Sequence, residues 1–224
     1  MMKTQIKRLA TLSAGVALVG LAGVLTTANA DHHGDGDEKD KKVERAEIGK
    51  PAPMFKLKDV NGKEFDLNDY KGQIIVLEWF NPECPFVPPV HTSSEYRELR
   101  NSVWEADDSA WFSINSGAPG LQGHGLEKNR SFHEQWEMTH PLLIDEPGKV
   151  GRMYGARTTP HIYIIDKEGV LRYHGAINNY PMNRVRGDEK ISYVQRALEQ
   201  VRGGEEVSPS HVRPWGCSVK YSDS

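Results

Sequence analysis

From residue 48 onward, blocks of apolar residues alternate with polar blocks in a pattern that predicts strands and helices in turn. Two short alternating runs, 55–57 and 64–67, flank Asn61 and Gly62, a pair that favours a tight hairpin turn. Runs rich in β-branched and other apolar residues predict strands, of which the first two have the length of buried strands. These runs are 73–80, 110–114, 141–144, 161–166 and 170–174.

Helical patterns separate these predicted strands. Residues 89–105 open with proline, which fits a first helical turn because no intrahelical donor is lost there. Residues 126–137 predict a second helix and 148–154 a helical turn. Near the end, apolar side chains fall on one helical face: Ile191, Val194, Leu198 and Val201. This order predicts one α/β domain with a central mixed sheet flanked by helices and an N-terminal hairpin.

The first thirty residues have the composition of a secretory signal peptide. Lys3, Lys7 and Arg8 form a positively charged start, residues 9–25 are apolar or small, and small side chains precede the expected cleavage after Ala30. The alternative is a membrane anchor, but the apolar run is short for a span. We therefore expect export to the periplasm or extracellular space, with no stable membrane span after the signal is removed.

The remaining chain is predicted to contain a charged linker at 31–47, a single domain at 48–203 and a tail at 204–224. Within the linker, cleavage would expose Asp31-His32-His33, and a histidine in third place can complete a square-planar copper or nickel site. A solvated linker is the simpler interpretation of the same residues.

Composition excludes several classes of protein. The 28 Lys+Arg and 31 Asp+Glu residues give a net charge of −3, which predicts no broad basic face for nucleic acid. Because Cys84 and Cys217 are its only cysteines, the chain is neither a small disulfide-rich domain nor a protein with a four-cysteine zinc site. Any cysteine chemistry therefore uses at most one pair.

Cys84 is the strongest candidate for chemistry. It follows the predicted strand 73–80 in an expected exposed turn and precedes a predicted helix start, where backbone donors and the helix dipole favour the thiolate. A thiol with an ordinary pKa of about 8.5 is about 3 % ionised at pH 7, whereas one lowered to about 6.5 is about three-quarters ionised. The alternative is an inert, buried cysteine.

Several segments together carry a family resemblance. In these segments the chain resembles the thioredoxin-fold redoxins, which include exported thiol-disulfide oxidoreductases and the alkyl hydroperoxide reductase/thiol-specific antioxidant peroxiredoxins. The segments are 48–53, 79–84, 142–145, 154–160 and 164–169, and the resemblance spans 47–202. It implies a thioredoxin-like fold and a thiol-dependent oxidoreductase with antioxidant activity that needs no cofactor.

The chain departs from both branches of this superfamily. A peroxiredoxin places threonine or serine three residues before its reactive cysteine, but this chain has Asn81, and Pro160 stands where those enzymes have an arginine. Thr159 and Pro160 instead resemble the thioredoxin cis-proline pair, which presents backbone groups to an extended substrate. The Cys-x-x-Cys pattern of thiol-disulfide oxidoreductases is also missing, because residue 87 is Val87.

Without a local second thiol, a mixed disulfide on Cys84 needs another resolving group. The candidates are Cys217, a second thiol on the substrate or an external reductant. The resemblance implies a link to Cys217, which lies in a Gly-Cys tail with little periodicity that we expect to be flexible. A structural disulfide, worth about 5 kcal/mol in the chain-entropy model, and two independent thiols are the alternatives.

Other residues are candidates for supporting roles. His161 is expected to face the active cysteine or solvent, and Glu78 is either a buried proton relay or a satisfied carboxylate. Trp79, Pro82 and Pro85 frame the cysteine turn. We expect no metal site in the domain, because helical spacing places His91 about 10 Å from Cys84.

The sequence thus predicts an exported thiol-disulfide oxidoreductase, with Cys84 as nucleophile, Cys217 as resolving partner, and Thr159, Pro160 and His161 next to the substrate. Its partners would be a thiol or disulfide substrate protein, or a small thiol, and an external reductant. One alternative is a peroxiredoxin-like peroxidase in which Cys84 becomes a sulfenic acid. Another is a non-enzymatic exported copper-handling protein.

Overall fold

A computed structural model describes residues 45–184 and 187–222. The predicted strands occur in the predicted order, and three short strands at 158–159, 211–212 and 217–218 are present that the sequence did not predict. The strands are β1 Lys56–Asp59, β2 Glu64–Asp66, β3 Ile74–Trp79, β4 Ser109–Asn115, β5 Leu142–Ile144, β6 Thr158–Thr159, β7 His161–Ile165, β8 Leu171–Gly175, β9 His211–Val212 and β10 Cys217–Ser218. The helices are α1 Pro88–His91, α2 Ser94–Glu105, α3 Leu126–Gln135, α4 Lys149–Tyr154 and α5 Tyr193–Gly203.

In the described part of the chain, eight strands form one mixed sheet in the order β2-β1-β5-β4-β3-β7-β8-β9. Strand β3 lies in its centre, parallel to β4 and antiparallel to β7. The predicted hairpin is present as the β1/β2 pair, and Gly62 takes a positive φ of 82° in its turn. The predicted α/β class and mixed sheet are confirmed.

Both faces of β3 are buried, as a mainly apolar strand predicts. Ile75, Leu77 and Trp79 pack into the cluster on one face, whereas Ile74 and Val76 pack into the cluster on the other. The second cluster also contains side chains from helices α2 and α5. Strand β3 therefore delivers the residues that follow it to a rigid position at its carboxyl end.

One predicted element was wrong. Residues 89–105 were expected to form a single helix, but the structure contains α1 and α2 with Thr92 and Ser93 between them. Ser93 has extended backbone angles at the N-cap of α2, a position that serine favours. The chain therefore breaks before α2, and His91 ends α1 as a buried residue.

Within the part of the chain that the structure describes, none of the helices is long and apolar enough to cross a membrane. Residues 1–44, which include the predicted signal peptide and most of the predicted linker, lie outside the described residues. Of the linker, Ala46 contacts the domain, and its N–H donates to the carbonyl oxygen of Met153 at 3.0 Å.

Candidate active site

Cys84 lies in the loop between β3 and α1. Its N–H donates to the Asn81 carbonyl at 3.1 Å, and its own carbonyl accepts from the Val87 N–H at 2.9 Å. The side chain is fully buried in a cluster with apolar side chains from several parts of the chain: Val60, Phe80, Val87, Met138 and Leu142. The predicted exposed turn is present at Glu83 and Pro85, but Cys84 between them is buried because residues distant in sequence cover its side chain.

The Cys84 thiol points at the β6 strand. Its Sγ donates to the carbonyl oxygen of Thr159 at 3.2 Å. The Thr159–Pro160 peptide bond is cis, as the resemblance implied. Two residues that lie far apart in sequence are thus in direct contact at the carboxyl end of β3.

The cysteine loop is held by a second loop that the sequence interpretation missed. The Asn81 side chain accepts from the Glu83 N–H at 3.0 Å and donates to the Gln122 carbonyl at 3.3 Å. The Glu83 carboxylate accepts from the Gly123 N–H at 2.5 Å and from Lys128 at 3.0 Å. Asn81 therefore uses its amide to shape the loop. The glycines at 117, 120, 123 and 125 were the available sequence signal for this loop.

Helix α1 differs from the helix start that the sequence predicted. It is only four residues long, and Pro88 and Pro89 at its start have no N–H to offer. The positive potential of a helix start comes mainly from the free N–H groups of its first turn. The sulfur therefore meets little of the positive potential expected, and its hydrogen-bond partner is the Thr159 carbonyl.

The tail brings Cys217 to the same place. Strand β10 pairs antiparallel with β6, with Cys217 opposite Thr159 and Ser218 opposite Thr158. The Val219 N–H continues the pairing by donating to the Arg157 carbonyl at 3.0 Å. Cys217 also packs against the apolar cluster that encloses Cys84. Both thiols are free, and both lie against Thr159.

The tail is anchored on both sides of Cys217. Before it, Trp215 Nε1 donates to the Asn178 carbonyl at 2.7 Å, and the Trp215 ring lies 5.9 Å from the Phe86 ring. After it, the Tyr221 hydroxyl donates to the Ala156 carbonyl at 2.9 Å. The sequence predicted a flexible extension, and that prediction was wrong. Its lack of periodicity reflects an irregular segment held by hydrogen bonds to other parts of the chain.

Gly216 allows this close approach. Its φ is +125°, and a side chain on it would collide with the carbonyl oxygen of Thr159. L-residues rarely adopt such a φ, and glycine adopts it without steric cost. The glycine before Cys217 is therefore required by the contact between β10 and β6.

The protonation of Cys217 depends on its neighbour. Partial burial, together with interaction with the Cys84 side chain, raises the pKa of Cys217 to about 11. At pH 7 only about one molecule in ten thousand would carry a Cys217 thiolate. While Cys84 is also a free thiol, Cys217 is therefore a weak nucleophile.

Glu78 lies at the centre of a buried polar cluster on β3. One carboxylate oxygen accepts from His91 Nε2 at 2.8 Å, and the other accepts from Trp111 Nε1 at 3.1 Å and Ser113 Oγ at 3.2 Å. Burial opposes ionisation, but attraction to His91 and its hydrogen bond lower the pKa of Glu78 to about 2. Burial and the charge of Arg100 lower the pKa of His91. Glu78 is thus a satisfied, charged carboxylate.

His161 belongs to a row of three histidines. Its Nδ1 accepts from the Arg157 N–H at 3.4 Å, and its Nε2 lies 3.4 Å from Nδ1 of His174. The next ring in the row, His211, is 4.4 Å from His174 and donates to the His174 carbonyl. His161 is buried, so the expectation of a solvent-facing histidine was wrong. Its Nε2 therefore lies against the next histidine of the row, whereas its Nδ1 is hydrogen-bonded outside the row.

The histidine row predicts acid sensitivity. Burial and neighbouring positive charge lower the pKa of His161 to about 3 and that of His174 to about 4. The unfolded chain, with histidine pKa values near 6.5, binds these protons more tightly, so the free energy of unfolding should fall as the pH drops from about 6.5 towards 4. For His161 the loss is at most about 1.4 kcal/mol per pH unit. Urea unfolding at pH 7 and pH 5 measures it.

A His161→Gln variant should show a shallower fall over the same pH range. His124→Gln is the matched control, because His124 is half-buried beside Glu146 and lies outside the row. His91 and His140 are buried with lowered pKa values in all three proteins, so the comparison isolates His161. An unchanged pH slope in His161→Gln would contradict the assignment.

The framing residues have separate roles. Trp79 is buried, and its Nε1 donates to Ser116 Oγ at 3.1 Å. Ser116 donates to the buried Asp145 carboxylate at 2.7 Å, a link that the sequence interpretation missed. Pro82 is buried in the cysteine loop, whereas Pro85 is exposed beside it. Trp79 therefore connects the end of β3 to the loop that follows β5.

Among the described residues, no group of three or more histidine, cysteine, aspartate or glutamate side chains could hold a metal ion. The His91 side chain is hydrogen-bonded to Glu78 and is not paired with Cys84. The candidate copper motif Asp31-His32-His33 lies outside the described residues.

The model of the AhpC/TSA family matches residues 48–174, which is more than half of the chain and includes Cys84, Thr159 and Pro160. The chain belongs to the AhpC/TSA family. Its thioredoxin-like fold is the one that the resemblance implied.

Relatives of this AhpC/TSA protein carry two kinds of name. It is 29% identical over 125 residues to thiol-disulfide oxidoreductase ResA of Geobacillus thermodenitrificans, covering 56% of this chain and 67% of the relative. It is 30% identical over 194 residues to peroxiredoxin prdx-2 of Caenorhabditis elegans, covering 80% of this chain and 91% of the relative. The protein is a thiol-dependent oxidoreductase.

Solved structures agree on the fold. An uncharacterized conserved protein from Geobacillus kaustophilus aligns with a TM-score of 0.69 and 27% identity, covering 80% of this chain and 94% of that one. Peroxidoxin BcpB from Mycobacterium tuberculosis aligns with a TM-score of 0.53 at 17% identity, over 71% of this chain and 98% of that one. At that identity the likeness concerns the fold.

Proposed function

We propose that this AhpC/TSA protein is an exported thiol-disulfide oxidoreductase in which Cys84 is the nucleophile and Cys217 resolves the mixed disulfide. The observation that carries the proposal is the shared contact at Thr159. Its carbonyl accepts from Cys84, and its backbone pairs with Cys217. Two cysteines that lie far apart in sequence thus meet at one residue beside the cis peptide bond.

The first step is attack by the Cys84 thiolate on one sulfur of a substrate disulfide. A bond forms between Cys84 and that sulfur, the substrate disulfide breaks, and the other sulfur leaves as a thiolate. Cys84 is oxidised and the leaving sulfur is reduced. Burial of Cys84 among apolar side chains keeps water away from the mixed disulfide.

The second step is attack by Cys217 on the Cys84 sulfur, which releases the substrate cysteine and forms a Cys84–Cys217 disulfide. In the free dithiol, interaction with the Cys84 side chain is one of the causes that hold the Cys217 pKa high. A Cys84 sulfur in a mixed disulfide carries neither a proton nor a charge, so that contribution disappears. Cys217 therefore becomes a better nucleophile only after Cys84 has reacted. An external reductant then returns the pair to the dithiol.

The experiment is a redox titration of the full chain, combined with trapping. We expect the Cys84–Cys217 pair to titrate at a potential above about −300 mV, because bridges below that value resist reduction by cellular thiols. A reduced Cys217→Ser variant should accumulate a mixed disulfide on Cys84, identified by mass spectrometry. A potential below about −300 mV would instead assign a structural disulfide and contradict the catalytic cycle.

Peroxide reduction is the second candidate, favoured by the 30% identity to a peroxiredoxin over most of the chain. In that cycle Cys84 becomes a sulfenic acid, with which Cys217 condenses to form the same disulfide and water. Asn81 holds the cysteine loop where that family has a hydroxyl group, which favours disulfide exchange. Single-turnover peroxide consumption with a sulfenic adduct on Cys84 would reverse this preference.

Export is part of the proposal and is supported by the charged start, the apolar run and the small residues before Asp31. A disulfide at Cys84 and Cys217 also persists more readily in an oxidising compartment. The intact mass of the protein recovered from the producing cell, measured with its compartment, tests the expected cleavage after Ala30.

A further inference from the structure

We propose that strand β6 is a binding site for an extended polypeptide, and that residues 215–219 of the tail occupy this site as a self-ligand, a segment of the same chain bound in place of the substrate. The external substrate would be an extended polypeptide with an aromatic-glycine-cysteine sequence that displaces the tail. This inference rests on the proposed function of Cys84 and adds the class of substrate. The evidence is the backbone pairing of β6, the close contact between Gly216 and Thr159, and the contacts of the Trp215 ring.

The backbone pairing sets the position of the reacting sulfur. In the β6/β10 pair, the residue opposite Thr159 is a cysteine. The Thr159 carbonyl also accepts from the Cys84 thiol. Main-chain hydrogen bonds between strands do not depend on which chain supplies them. A second polypeptide that pairs in this register would therefore place its own cysteine next to Cys84.

The tail must leave before that can happen. Cys84 is fully buried, and Cys217 packs against the apolar cluster around it. The tail is held by its pairing with β6 and by hydrogen bonds on both sides of that pair. These bonds join Trp215 to the Asn178 carbonyl, Val219 to the Arg157 carbonyl, Tyr221 to the Ala156 carbonyl, the Ala118 N–H to the Lys220 carbonyl and the Arg152 guanidinium to the Ser222 carbonyl. Each such bond contributes about 1 kcal/mol net, so a partner with equivalent contacts can replace the tail.

The pairing restricts the residue before the cysteine. At that position a side chain would collide with the Thr159 carbonyl oxygen. The carbonyl belongs to the pairing strand and also accepts from Cys84, so it cannot move aside without loss of both contacts. The edge therefore selects glycine immediately before the reacting cysteine.

The position before the glycine favours an aromatic ring with a hydrogen-bond donor. Trp215 lies beside Phe86 and donates to the Asn178 carbonyl at 2.7 Å. Phe86 follows Cys84 by two residues in the cysteine loop. A substrate tryptophan would occupy the position of the Trp215 ring, and its own ring would help to cover Cys84.

The catalytic cycle is completed when the substrate strand and the tail replace one another on β6. With the substrate strand bound as a disulfide, the Cys84 thiolate attacks its cysteine, and the other half of the disulfide leaves as a thiolate. The returning tail brings Cys217 to the Cys84 sulfur in the register that the substrate occupied. Its attack forms the Cys84–Cys217 bond and releases the substrate cysteine, so product release and resolution occur together.

The test uses the reduced, full-length Cys217→Ser protein and synthetic peptides that copy residues 213–221. The peptide cysteine is linked to thionitrobenzoate, whose coloured release reports attack by Cys84. The matched peptide has alanine in place of glycine. We expect the alanine peptide to react about tenfold more slowly or worse, which corresponds to about 1.4 kcal/mol. Equal rates for the two peptides would overturn the inference.

A second variant tests whether the tail competes for the site. Gly216→Ala combined with Cys217→Ser should dislodge the tail and accelerate reaction with the copy peptide by about tenfold, equivalent to about 1.4 kcal/mol. Gly72→Ala with Cys217→Ser is the control, because Gly72 also has a positive φ with open space around it and precedes β3, at the end of that strand opposite the cysteine loop. Failure of the first pair to accelerate the reaction would overturn the self-ligand assignment.

The two proposals fail in different ways. The free small disulfide of thionitrobenzoate needs no strand pairing, so it reports whether Cys84 performs exchange at all. If Cys84 reacts with neither this reagent nor the peptides while the protein is folded, the proposed function fails. If it reacts with the reagent and shows no preference between the peptides, only the substrate inference fails.

Discussion

Replacing Cys84 by serine is expected to abolish disulfide exchange, with a fall in turnover of about a thousandfold or more, as for the loss of other covalent nucleophiles. The serine hydroxyl can still donate to the Thr159 carbonyl, which now accepts from the thiol at 3.2 Å, so the loop should keep its shape. Turnover of a peptide disulfide with an excess of small reducing thiol measures the effect.

Cys217→Ser is the matched control, because it removes the other thiol of the pair. It should react once with substrate, accumulate the mixed disulfide on Cys84 and then turn over only as fast as an external thiol releases it. Unfolding curves of both variants separate loss of chemistry from loss of fold. A Cys84→Ser protein that keeps substantial activity would remove Cys84 from the mechanism.

Replacing Glu78 by glutamine is expected to lower the free energy of unfolding by about 3–5 kcal/mol, because it removes the negative charge that compensates the buried Arg100 guanidinium. Glu78 and His91 are completely buried, and Arg100 lies in the same cluster. A glutamine amide group would also bring a donor against Trp111 Nε1 or His91 Nε2, which already donate to the carboxylate. Urea unfolding at neutral pH measures the loss.

Glu127→Gln provides the comparison for a surface ion pair. The Glu127 side chain is 80% exposed beside Arg130, so its replacement should cost about 0.5 kcal/mol or less. If Glu78→Gln were as mild as Glu127→Gln, the buried cluster would contribute little to stability. A large loss of stability with an unchanged rate of reaction at Cys84 would assign Glu78 a structural role alone.

The local elements were predictable because their signals are local. Residues 73–80 form a long apolar run, and β3 occupies 74–79 with both faces buried. The hairpin around Asn61 and Gly62 follows from turn chemistry in the same way. The single predicted helix at 89–105 failed because Ser93 takes extended backbone angles between α1 and α2, and no break in the polarity pattern marks that position.

The candidate site was predictable only in part. Cys84 and the Thr159–Pro160 pair stood out by residue type and by family resemblance, and the structure places them in contact. The hydrogen-bond partners of Glu78 could not be predicted from the sequence, because they lie 13, 33 and 35 positions away along the chain. No periodic pattern marks contacts between segments at such separations.

The sequence by itself determined the order of the main strands and helices, the class of fold, and the cysteine that follows the central strand. Only the tertiary structure decided that Cys84 is buried, that the tail is an ordered strand, and that Cys217 lies opposite Thr159. The reason is physical. Hydrophobic periodicity and turn chemistry act between near neighbours, whereas the environment of a thiol depends on distant segments that fold against it.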